Sequence, residues 1–263
     1  TSIKHQPSAI NHQSQPSRVT SLGSSNRDSP ISALTAYDYP TARILDENGI
    51  DLILVGDSLG MVVLGHSDTT SVTIDMMIHH TSACRPAINN AALVADLPYN
   101  SYETPEQAIA SSRSLVNAGA DGIKLEGGFS MIPQITAIIE SGIPVIGHIG
   151  FLPQNIKREG RYKKKGKSSD EYKRILRDAI TLERAGVVAI VLESIVSDLA
   201  KEITETLKIP TIGIGSGNHC NGQIRVIHDI TGNFPWFTPP FAKPHCNIAN
   251  EISCAVKKYI QSI

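Results

Sequence analysis

From Ile31 onward the chain alternates short apolar runs with longer stretches whose apolar residues recur at helical spacing. ISALTA, DLILVG, AALVAD, DGIKLE, IPVIGHI, VVAIVLE and IPTIGIG are read as strands, and QIRVIHD, Gln223 to Asp229, as an eighth. Their apolar positions are consecutive rather than alternate, which suits strands buried on both faces of a parallel sheet. Between them, TPEQAIASSRSLVNAG, SSDEYKRILRDAITLERAG and SDLAKEITETLK read as helices, each opening on a Ser or Thr able to cap free backbone N–H groups. The first two stop at Ala-Gly. Such α/β repeats close into a (β/α)8 barrel or wind into an open doubly wound sheet. Eight units without a GxGxxG fingerprint favour the barrel. GIGSGN at 213–218 lacks that spacing, and reads either as a turn admitting a ligand to its backbone amides or as a plain strand-to-helix turn.

Length and composition narrow the picture. The 263 residues, 41% of them hydrophobic, suit one barrel domain over 31–263 with a C-terminal helix. The first thirty residues, rich in Ser, Gln, Asn and Pro, are expected to form an irregular or disordered arm, with an organellar targeting segment as the alternative. A formal net charge of -1 gives no field to attract nucleic acid or an anionic membrane, so small molecules and copies of the same chain are the expected partners. No apolar run approaches the ~20 residues of a spanning helix. The four cysteines lack metal-ligand or disulfide-framework spacing and read as reduced thiols in the cytoplasm.

The chemistry gathers where strands end. Asp57, Asp96, Lys124, Glu126, His148 and Glu193 stand at or just past the C-terminal ends of apolar runs, which form one rim in a β/α barrel. Lys124 and Glu126 are two apart on a strand and share a face, where they serve a site or form an internal salt bridge. Singly, Asp57 and Asp96 would read as helix caps. With Glu126 they form a set of hard oxygen donors suited to Mg2+. His148, between glycines, is either catalytic or a hydrogen-bonded core residue. Glu193 ends the most apolar strand, where desolvation raises a carboxyl toward general-base range; the alternative is the N-cap region of the next helix.

LTAYDYPTARILDENGIDLILVGDSLGMVVLGH, VADLPYNSYETPEQA, GIKLEGG, VIGHIGFLPQ, VLESIV and IPTIGIGSGNHCNGQIRVIHD together resemble the ketopantoate hydroxymethyltransferase family, in order and spacing, from about Ile31 to Lys243. The resemblance implies a (β/α)8 TIM barrel of the phosphoenolpyruvate/pyruvate-binding type that uses Mg2+ and 5,10-methylenetetrahydrofolate, and a large homo-oligomer, often a decamer. It also implies roles: Asp57, Asp96 and Glu126 at the metal; Asp57, Ser58, Asp96 and Lys124 on the α-keto acid; Glu193 as proton acceptor; Tyr37 and His148 lining the same pocket.

Three stretches depart from that family pattern. KREGRYKKKGK, 157–167, replaces a less charged loop and reads as a basic lid for the folate tail or as a solvated mobile loop. HSDTTSVT, 66–73, alters a pocket or subunit edge, and the polar segment before Ile31 is expected to weaken closure of the barrel bottom or assembly contacts. The alternatives to this family are a folate-independent Mg2+-dependent 2-oxo acid lyase, which the chain meets without the expected cysteine loop, and a barrel that has lost catalysis, which would have lost a rim residue.

Overall fold

A computed structural model describes residues 18–23, 29–160 and 162–263. Eight strands follow the predicted order: β1 Ile31–Thr35, β2 Leu52–Val55, β3 Ala92–Asp96, β4 Gly122–Glu126, β5 Val145–Gly150, β6 Ala189–Glu193, β7 Thr211–Ile214 and β8 Gly222–Arg225. Each pairs in parallel with the next, and β8 returns to β1, so the sheet closes into a barrel. Helices α1 Tyr39–Glu47, α2 Leu59–Val62, α3 Ile74–Cys84, α4 Pro105–Asn117, α5 Ile132–Glu140, α6 Ile156–Glu159, α7 Ser169–Ala185, α8 Ser197–Thr206, α9 Ile227–Thr231 and α10 Ile248–Ser262 lie between and after the strands.

Continuous apolar strands are explained by two cores. Alternate residues such as Leu52, Val94, Ile146, Val191 and Ile224 fill the barrel, while Ile53, Leu93, Ile123, Ile190 and Leu192 pack outward under the helices. Thr104 and Ser168 cap α4 and α7 as expected, accepting from Gln107 N and Glu171 N. Ser197 does not cap: α8 begins after Val196 with no side-chain cap. The eighth strand is shorter than read from the sequence. It stops at Arg225, because Ile227 N–H turns aside to Thr35 Oγ1 (3.0 Å) and opens α9.

Of the expected irregular arm 1–30, residues 1–17 and 24–28 lie outside the described residues. Within the rest, Thr20–Gly23 forms a 3-10 turn, and Val19 and Leu22 are buried in the interior cluster. Val19 lies where a side chain on Gly122, at the start of β4, would meet it at 3.1 Å, so this polar segment still supplies apolar packing at the N-terminal end of the barrel. No described helix is long and apolar enough to cross a membrane.

Candidate active site

Strand register assembles the rim. Asp96 is paired with Lys124, Glu126 with His148, and Gly150 with Glu193, so charges scattered over a hundred residues become lateral neighbours. Lys124 and Glu126, two apart on β4, face the cavity together with Asp57, Asp96, His148 and Glu193. Neither aspartate is a helix cap. Asp96 Oδ2 accepts from Asp57 N (3.1 Å), and its Oδ1 lies 2.9 Å from Lys124 Nζ. The Gln154 side chain donates to Asp57 Oδ2 (2.8 Å) and Gln154 N donates to Glu126 Oε2 (3.1 Å).

Burial governs the electrostatics. It lifts Asp57 well above the carboxylate range, reinforced by the charges of Asp96 and Glu126 and opposed by Lys124. It lifts Glu126 too, against Lys124. Burial alone would lower Lys124, but Asp96, Glu126 and Asp57 outweigh it and hold the ammonium charged. Three buried carboxylates facing one lysine form an acid-rich pocket whose like charges oppose joint ionisation. Among the described residues no group of three His, Cys, Asp or Glu side chains is already arranged as a metal cage. The donor set still fits a hard divalent cation: the oxygens are carboxylate, they face a cavity, and their mutual repulsion is what such a cation relieves.

His148 links this acid group to Glu193. Its Nδ1 lies 3.4 Å from Lys124 Nζ and 3.5 Å from Glu126 Oε1, and its Nε2 lies 3.2 Å from Glu193 Oε2. Burial, then Lys124, lowers its pKa and keeps the ring neutral. A neutral ring accepting from Lys124 at Nδ1 carries its proton at Nε2, facing Glu193. Burial raises the Glu193 carboxyl, with His148 pulling the other way. Ser194, directly after it, holds φ +50, a left-handed conformation uncommon outside glycine, and is buried. The GIGSGN turn braces this point: buried Ser216 Oγ donates to Leu192 O (2.7 Å) and accepts from Ile195 N (3.2 Å), bracketing Glu193 on β6.

Ser58 lines the cavity, and Tyr37 sits behind it with its hydroxyl 2.8 Å from Ser58 Oγ. The remaining walls come from residues that strand-end reasoning passes over. Phe151, Tyr162, Phe234, Phe237 and Phe241 make one side aromatic, and Ser67, Asp68 and Thr69 of the altered 66–73 stretch form part of its edge. In the basic loop, Lys165 is buried and paired with Glu159 (2.5 Å), so its charge is committed inside the protein. Tyr162, from the same loop, packs its ring 4.3 Å from Phe151. Burial and the nearby Glu193 charge raise its hydroxyl, which stays protonated beside that carboxylate.

The family model for ketopantoate hydroxymethyltransferase matches residues 17–263. The chain is 51% identical over 244 residues to a 3-methyl-2-oxobutanoate hydroxymethyltransferase of Acetivibrio thermocellus, covering 92% of this chain and 86% of that one. It is 53% identical over 233 residues to the enzyme of the same name from Trichodesmium erythraeum, covering 88% of each. Among solved structures, oxaloacetate acetylhydrolase superposes with a TM-score of 0.65 at 14% identity, covering 83% of this chain and 82% of that one. A 2,3-dimethylmalate lyase of the PEP mutase/isocitrate lyase superfamily does so with a TM-score of 0.62 at 15% identity, covering 94% and 88%. These last two share the barrel fold.

Proposed function

The chain belongs to the ketopantoate hydroxymethyltransferase family, and on that premise we propose that it transfers a hydroxymethyl group from 5,10-methylenetetrahydrofolate to 3-methyl-2-oxobutanoate, giving 2-dehydropantoate for pantothenate and coenzyme A synthesis. The observation that carries this reading is the placement of Glu193, 3.2 Å from the neutral ring of His148, opposite the three-carboxylate group that the same ring borders. A buried base beside an acid group suited to a divalent cation is what removal of a weakly acidic proton next to a ketone requires.

Asp57, Asp96 and Glu126 would hold Mg2+, which when bound supplies Lewis-acid stabilisation of the charge developing on the keto oxygen. Lys124, a compact ammonium, offers a counter-charge to the substrate carboxylate. Ser58, its hydroxyl held by Tyr37, adds a hydrogen-bonding group on the same wall. Glu193 takes the C3 proton. Its raised pKa makes it a stronger base than an exposed glutamate, and His148 Nε2 stands 3.2 Å from its carboxylate. Phe151 and Tyr162 cover that carboxylate and limit water around the carbanion. Water first cleaves the methylene from the folate nitrogens as formaldehyde, tetrahydrofolate leaving with the nitrogen protons; C3 then adds to the formaldehyde carbon, and the new alkoxide takes back the proton held by Glu193 to become the hydroxyl. The enzyme takes small molecules rather than nucleic acid or membrane as partners, works as a homo-oligomer, and resides in the cytoplasm. Its four cysteines, all free, support the last point.

The test is solvent exchange. Purified protein with 3-methyl-2-oxobutanoate in deuterated water should lose the C3 proton signal in NMR when Mg2+ is present and keep it when Mg2+ is withheld. A folded protein that exchanges equally with and without Mg2+, or that shows no exchange with Mg2+ and tetrahydrofolate added singly or together, would sink the proposal.

A further inference from the structure

One wall of the cavity has no task in the chemistry above. Where β8 ends and α9 begins, Asp229 is 7% exposed and faces the cavity. Its backbone N–H is satisfied by Val226 O (3.1 Å), but its carboxylate has no hydrogen-bond or ion-pair partner among the described residues. A carboxylate that opens to a cavity without a protein donor is free to accept hydrogen bonds from a ligand seated there. Burial pushes this one up to about 6, with only the more distant charge of Arg225 opposing it.

Arg225 is turned elsewhere. Its Nη1 donates to Ile224 O (2.7 Å), Gln223 Oε1 (3.3 Å) and Gly213 O (3.4 Å), and its guanidinium stands 5.7 Å from the centre of the Phe241 ring. The same cavity is lined by the aromatic rings of Phe234, Phe237, Phe241 and Tyr162, with Tyr162 and Phe241 6.0 Å apart between ring centres. A ligand with flat apolar faces and N–H donors along one edge suits aromatic lining and an unpartnered carboxylate in one cavity. The keto acid has neither, being small, anionic and without donors. A pterin has both: its 2-amino group and N3–H are adjacent and point the same way, matching the two oxygens of a carboxylate.

We propose that Asp229 anchors the pterin ring of the folate co-substrate, accepting hydrogen bonds from the 2-amino and N3–H edge while the aromatic wall covers the ring faces. The assignment rests on the folate-transfer reading. It sets the reactive methylene of the folate in the cavity that also holds Glu193, while the glutamate tail leads outward past the exposed Phe237.

The experiment is anaerobic calorimetric titration of tetrahydrofolate, and separately of 6-methyltetrahydropterin, into wild-type protein and Asp229→Asn. Trp236, the chain's single tryptophan, provides a fluorescence readout beside it, since its ring lies 5.2 Å from that of Phe234. Asparagine keeps the shape but turns one acceptor into a donor facing donors. Affinity for both compounds should fall by roughly tenfold to a hundredfold, the loss expected for charge-assisted hydrogen bonds. Undiminished binding in the variant would overturn the role of Asp229 and leave folate transfer standing, as would a loss seen with tetrahydrofolate but absent with the pterin fragment. Failure of the wild-type protein to bind tetrahydrofolate at all would instead remove the folate reading itself. Asp229→Ser carries the same comparison if the asparagine variant does not fold.

Discussion

Glu193 ends β6 with its carboxylate buried, and two consequences follow from that placement. Replacing it with Gln keeps the volume and a contact for His148 but removes the proposed base. Turnover should fall by about a hundredfold to ten-thousandfold, the usual contribution of a positioned base, while the Mg2+ affinity expected of Asp57, Asp96 and Glu126 should be unchanged. Stopped-flow or NMR turnover alongside Mg2+ titration checks this, and near-normal turnover would take Glu193 out of the role. The second consequence is in the pH profile. Since burial raises its pKa, the fraction of deprotonated Glu193 falls as pH drops through a value above the ordinary glutamate range, and turnover should fall with it. Burial also raises Asp57, Glu126 and Asp229 and lowers His148 in the same cavity, so the limb is assigned to Glu193 by its loss from the residual rate of Glu193→Gln. A rate that stays flat until the ordinary glutamate range would contradict the desolvated base.

At the scale of elements, the site depends on how tightly β5 and β6 approach at the rim. Gly150, with φ +104, is paired with Glu193, and a Cβ there would stand 2.2 Å from Glu193 O. That oxygen is backbone and already accepts from Phe151 N (2.8 Å), so neither strand can yield without moving Glu193. Gly150→Ala should destabilise the fold by about 1–3 kcal/mol through the forced positive φ, and should depress turnover in the fraction that remains folded. Thermal melting and kinetics on one preparation would test it, and a variant with wild-type values in both would show that the approach is not tight. The same element explains what was legible beforehand. Asp57, Asp96, Lys124, Glu126, His148 and Glu193 could be picked out because each interrupts or ends an apolar run, and burial on both strand faces makes those runs conspicuous. Gln154 and Tyr162 escaped because a short turn and a loop place them, and Asp229 because it falls in α9 rather than on the eighth strand; only the folded chain shows Gln154 bridging Asp57 and Glu126 or Asp229 facing a cavity. The β8 boundary failed for a related reason: a tertiary hydrogen bond to Thr35, invisible in local pattern, ends the strand at Arg225.

For the molecule as a whole, the unfinished part is α10. This fifteen-residue helix buries no residue, and Ile252, Val256, Tyr259 and the terminal Ile263 recur at spacings of four, three and four along one face, all half or more exposed. Isolated helices of this length are marginal in water, and most helical stability in proteins comes from packing an apolar face. The stripe therefore calls for a cover, and the described part of its own barrel supplies none. With a formal net charge of -1, self-repulsion between copies is weak, so a second copy of the chain is the natural cover. Light scattering after size exclusion should then give a multiple of the 28.3 kDa chain mass. Ile252→Glu combined with Val256→Glu should reduce that mass and make the melting temperature depend more steeply on protein concentration, because folding and association are linked by mass action. An unchanged mass in the double variant would show that the assembly is built without this face. A monomeric wild-type protein would go further, since the stripe would then have to be covered by something other than a copy of this chain.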